Sequence, residues 1–81
     1  MPSVLRINLH NLTAMKNIIR EAVEEIRREA DELKAKQRTE YEDGQLLGLA
    51  SALDIIKSAC LGYDLEELGL DFDVDKTYLI D

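Results

Sequence analysis

The 81-residue chain predicts an all-α fold: an antiparallel two-helix hairpin that dimerises into a four-helix bundle, with short extended segments at both ends. Three observations carry this. Apolar residues recur in steps of three and four through residues 12–37 and again through 44–60. The break between these stretches is very short, which favours antiparallel neighbours. The second stretch is apolar on two sides, so it belongs inside something larger than a pair of helices.

Residues 1–11 form an extended lead-in. Leu5, Ile7 and Leu9 alternate with Arg6, Asn8 and His10, a short strand pattern. Asn11 or Thr13 then offers a side-chain oxygen to the free N–H groups of a first helical turn.

The first helix is expected over residues 12–38. Met15, Ile18, Ile19, Ala22, Val23, Ile26, Ala30 and Leu33 make one stripe, and no glycine or proline interrupts it. Several members are eleven residues apart, as Met15 and Ile26 are, so the stripe runs nearly straight. The opposite face pairs Glu24 with Arg28, Arg27 with Asp31, Arg28 with Glu32 and Glu32 with Lys36, each pair contributing a few tenths of a kcal/mol.

Thr39-Glu40-Tyr41-Glu42 fits a capping box, in which the Thr39 hydroxyl and the Glu42 carboxylate each accept from the other residue's backbone N–H. The second helix is expected over 40–61, stopped by Gly62. The alternative is one continuous helix that bends, since neither Gly nor Pro marks the break.

Within the second helix, Leu46, Leu49, Leu53, Ile56 and Cys60 form one stripe. Gly44, Gly48, Ala52, Ile55 and Ala59 form another of mostly small side chains. Glycine inside a helix costs roughly 1 kcal/mol against alanine, so two of them one turn apart point to a close helix–helix crossing. The oligomer interface is therefore assigned to Gly44, Gly48, Ala52, Leu46, Leu49, Leu53, Ile56 and Cys60.

Residues 62–81 form an acidic C-terminal segment. Asp64-Leu65-Glu66-Glu67 repeats the capping pattern and opens one helical turn that Gly69 ends. Leu70, Phe72 and Val74 then alternate with Asp71, Asp73 and Asp75, a strand pattern that could form a two-stranded ribbon with residues 4–9.

The net charge of −7 lies in the back half: residues 1–38 carry eight Lys/Arg against six Asp/Glu, and residues 39–81 carry two against eleven. Nucleic-acid backbones and anionic membranes would repel that balance. Lys16, Arg20, Arg27, Lys34 and Arg38 lie along one flank of the first helix, but Glu24 and Asp31 sit beside the same line, so a solvated, salt-bridged face is expected. No tryptophan and a single phenylalanine leave little for bases to stack on. There is no apolar run that would span a bilayer and no secretory signal pattern, so a cytoplasmic protein is expected. Cys60 is the single cysteine and reads as a reduced, packed side chain; His10 is the single histidine and reads as a surface residue.

Tyr41 with Gly44, Gly48 and Ala52 resembles the Tyr-x-x-Gly-x-x-x-Gly pattern in short helical proteins of Gram-positive bacteriophages and mobile elements. The resemblance covers about a dozen residues and implies a small, helical, accessory protein. Glu21-x-x-Glu24 and Glu40-x-x-Asp43 resemble the paired acidic motifs of the all-α nucleotide pyrophosphohydrolases, whose carboxylates hold magnesium between helices. On the first helix, however, Glu21 and Glu24 project away from the apolar stripe, whereas ligands must face the bundle interior. Asp71-x-Asp73-x-Asp75 looks like the opening of a calcium loop, yet its sixth position is Lys76 instead of glycine. No catalytic, cofactor or metal residue is assigned. The expected function is that of a non-enzymatic accessory or regulatory protein acting through homo-oligomerisation and protein–protein binding, the alternative being a small metal-dependent nucleotide hydrolase.

Overall fold

The two long apolar stripes meet each other. In the computed structural model, which describes residues 9–80 and their side chains from Leu12 onward, α1 (Leu9–Lys34) and α2 (Glu40–Ala59) form a hairpin and α3 (Val74–Tyr78) packs back on it. Leu33 shares a groove with Leu49, and Met15 shares a pocket with Ala59, so α1 and α2 run antiparallel. The described residues contain no strand, and the fold is all-α. The chain measures 52 × 18 × 18 Å, long and thin, so its interior is narrow.

α1 starts at Leu9, not after an extended lead-in to residue 11. Leu9, Leu12, Met15 and Ile19 sit three and four apart, so the helical period was available there beside the alternating one. A helix pairs its backbone internally, whereas a strand needs a neighbour, and the described residues supply none. Asn11 and Thr13 accordingly lie inside α1 and do not cap it. Residues 1–8, with the rest of the expected strand, and the side chain of His10 lie outside the described set.

α1 ends at Lys34, not at residue 38. Arg38 is the reason. Its Nη1 donates to the carbonyls of Leu33 (2.9 Å), Lys34 (3.3 Å) and Lys36 (3.2 Å), while its Nε donates to Asp43 Oδ1 at 2.7 Å. One guanidinium thus gathers carbonyls from the last turn of α1 and from the loop, and pairs with a carboxylate in the first turn of α2. The capping box of α2 forms as expected: Glu42 N–H donates to Thr39 Oγ1 (3.2 Å) and Thr39 N–H to Glu42 Oε1 (3.1 Å).

α2 ends at Ala59, two residues before the expected 61, because Cys60 already serves as its cap and donates to the carbonyls of Ile56 and Lys57. Gly62 then turns the chain at φ +101°, a conformation that side chains with a Cβ resist.

The C-terminal segment departs most from expectation. Asp64 Oδ1 accepts from the N–H groups of Glu66 (3.1 Å) and Glu67 (3.3 Å), which gives the expected turn, closed at Gly69 with φ +76°. The expected extended stretch and two-stranded ribbon do not form; residues 74–78 are helical. Asp73 decides this by capping α3, its Oδ1 accepting from Lys76 N–H at 3.1 Å. Leu70, Val74 and Tyr78 are four apart, a helical spacing hidden within the alternation. Each is buried, and with Leu68 they supply four of the ten core residues buried among the described ones, against two, Val23 and Ala30, from α1.

Candidate interaction surface

The eight residues assigned to an oligomer interface separate into three groups. Leu46, Leu53 and Cys60 are buried in the chain's own core. Leu49, Ala52 and Ile56 are half-buried. Gly44 and Gly48 are exposed, and a methyl group placed on either would meet no atom within 4 Å. The glycines therefore admit no close crossing within this chain.

The C-terminal segment covers one side of the hairpin only. It touches α1 along Lys16, Val23, Arg27, Asp31 and Lys34, and α2 at Lys57, which donates to the Phe72 carbonyl. At 100° per residue, Ala22 lies about 140° around α1 from Arg27, and Ala52 about 140° around α2 from Lys57. These two alanines mark the uncovered side. At the loop end that side is a groove lined by Glu29, Glu32, Leu33, Lys36, Gln45, Gly48 and Leu49. Toward the other end come half-buried Ile26 and Ile56, then Met15, which is 46% exposed. Ile18 (66% exposed) and Ile55 (69%) stand at its two edges. Sequence reasoning placed the expected interface on α2 alone; on this uncovered side α1 places Met15, Ile18 and Ile26 beside it, which became visible once the C-terminal segment was seen to take the other flank.

The basic flank of α1 is spent inside the molecule. Lys16 pairs with Glu67 (3.5 Å) and Arg20 with Glu24 (3.8 Å), and Lys34 Nζ donates to the Ile80 carbonyl at 3.2 Å. Arg27 lies over the Phe72 ring, 4.0 Å from its centroid, and donates to the carbonyl of Gly69 (3.3 Å) and the hydroxyl of Tyr78 (3.5 Å). Tyr78 in turn donates to Asp31 Oδ1 at 2.7 Å. Burial, reinforced by the Asp31 carboxylate, holds the Tyr78 hydroxyl above the ordinary phenol pKa. Lys36 and the Thr39 N–H hold the Glu42 carboxyl below its ordinary value.

The acidic pairs stand apart. Antiparallel pairing sets Glu21 near the level of Ala59 and Glu40 near the hairpin loop, roughly 25 Å away along the helices. Glu24 pairs with Arg20 and Asp43 with Arg38. Among the described residues no three His, Cys, Asp or Glu side chains come together as a metal-binding group, and Asp73 is engaged as a helix cap. No described helix is long and apolar enough to cross a membrane. Set against family models, curated proteins and solved structures, the chain matches none.

Proposed function

We propose that the protein is a non-enzymatic helical accessory module of the cytoplasm that acts by self-association and by binding another protein. The observation that supports this reading most is the uncovered apolar side of the hairpin. A thin two-helix layer, covered on one flank by its own C-terminal segment, leaves Met15, Ile18 and Ile55 in water on the other. Scattered surface apolar residues are ordinary, but these flank a continuous strip that includes half-buried Ile26, Ala52 and Ile56. Exposed Glu66, Asp71 and Asp75 on the C-terminal segment offer a separate acidic surface for a protein partner. A reduced, buried Cys60 suits a cytoplasmic setting.

Size-exclusion chromatography with light scattering tests self-association. The expected mass is a multiple of 9.2 kDa, with the dimer favoured; a single 9.2 kDa species at micromolar concentration refutes it.

A further inference from the structure

We propose that the flank of the hairpin under residues 64–80 is a docking groove for an acidic amphipathic peptide of another protein, and that the chain's own C-terminal segment occupies it as a tethered self-ligand. This rests on the protein-binding half of the proposed function and names the surface that carries it. The hairpin holds the segment as a groove holds a peptide. Arg27 donates to the carbonyl of Gly69 (3.3 Å), Lys57 to that of Phe72, and Lys34 to that of Ile80 (3.2 Å). Bonds to main-chain carbonyls do not depend on which side chains the segment carries, so another peptide on the same path meets the same three donors. Leu70, Val74 and Tyr78 add apolar anchors four residues apart, each at most 2% exposed.

Charge and side-chain contacts define the partner's chemistry. Residues 64–80 carry six Asp/Glu against Lys76 alone, and the hairpin meets them with Lys16, Arg27, Lys34 and Lys57. Opposite charge on the two sides favours encounter and disfavours basic peptides. Lys16 pairs with Glu67 (3.5 Å), Arg27 lies over the Phe72 ring, and Asp31 accepts from the Tyr78 hydroxyl at 2.7 Å. The fitting partner therefore sets apolar residues among carboxylates, with an aromatic ring for Arg27 and a hydroxyl donor for Asp31.

The two joints of the chain differ in a way that lets the segment lift. The loop between α1 and α2 is clamped by Arg38 and by the Thr39–Glu42 box. The link from α2 to the segment buries no side chain: Leu61 is 67% exposed, Tyr63 54%, and Gly62 and Asp64 are exposed as well. The segment also carries its own caps, Asp64 and Asp73, so its turns do not borrow from the hairpin. Tethering at one point holds it at an effective concentration on the order of millimolar, and a separate peptide competes poorly until the self-contact is loosened. The self-contact is in that sense autoinhibitory.

Fluorescence anisotropy with a labelled peptide of residues 64–80 tests this on full-length chains. Tyr78→Ala and, made singly, the milder Phe72→Ala (its ring is only half-buried) loosen the self-contact from the segment's side and leave the hairpin unaltered. Far-ultraviolet circular dichroism follows the helices of each variant. The expected result is weak uptake of the peptide by the wild type and at least tenfold tighter uptake by the loosened chains. Adding Arg27→Gln to a loosened chain, or Leu70→Asp to the peptide, should reverse that gain. Loosened chains that keep their helices without gaining affinity overturn the groove and leave protein binding through other surfaces standing. Loss of helix in both loosened chains also overturns it, because the segment is then core that the hairpin cannot do without. A wild-type dimer that excess peptide splits into monomers, by light scattering, assigns the flank to the segment of a second copy and overturns the partner named here.

Discussion

Tyr78 shows how one side chain joins distant parts of this chain. Its ring is buried against Phe72, edge to face with centroids 6.2 Å apart, while its hydroxyl bridges Arg27 and Asp31 across an interval of about fifty residues. Because its pKa is raised in the folded state, the fold favours the protonated phenol. The associated stability is complete below the ordinary phenol value of about 10 and is lost as pH rises through the higher folded value. Between pH 9 and pH 11 the wild type should therefore lose more Tm than Tyr78→Phe, and equal losses would contradict this. Arg38 does comparable work at the loop. Arg38→Ala leaves the Leu33 and Lys34 carbonyls without that donor and removes the pair with Asp43, so urea unfolding should show a loss of about 1–2 kcal/mol. Neither role could be read from sequence. Arg27 and Arg38 looked like members of a solvated basic row, and their partners at Gly69, Phe72 and Tyr78, or on the carbonyls just behind, depend on how the chain doubles back. The Thr39–Glu42 box was legible because its whole mechanism lies within four residues.

At the scale of elements, the long helices were legible and the short one was not. α1 and α2 declare themselves through periodicity repeated over 20 or more residues, and Gly62 marks the turn after α2. α3 spans five residues, and Leu70, Phe72 and Val74 satisfy a period of two as well as Leu70, Val74 and Tyr78 satisfy a helical one. Only the capping by Asp73 breaks the tie. Since Leu70 is fully buried, Leu70→Ala should cost about 2–4 kcal/mol by chemical denaturation, a loss that a solvated acidic tail would not show. Gly44 belongs to the same scale. It lies on the outward side of α2 with no atom within 4 Å of an added Cβ, so Gly44→Ala should raise stability by about 0.5–1 kcal/mol in thermal unfolding. A loss instead would mean that another backbone presses on it.

For the whole molecule, the governing fact is thinness. Ten of the described residues are buried in a body 18 Å across, so much of the apolar stripe of α1 stays half in water. Under the proposed self-association, folding is linked to association, and raising protein from 5 to 500 µM should raise the midpoint by several degrees. A midpoint that does not move is the outcome of a self-sufficient monomer. The sequence argument assigned both apolar sides of α2 to neighbouring helices, whereas Gly44 and Gly48 are exposed in this chain. It could not say which of them the chain covers for itself, because that depends on the path of residues 62–80.

That path bears on how the protein is made. Residues 68–78 supply a large part of the interior, yet they leave the ribosome last of the described elements. At 5–20 residues per second, α1 and α2 wait about one to four seconds for the residues that shield their second flank. During that interval the nascent hairpin bares apolar surface on both sides, a natural moment for a chaperone to engage it.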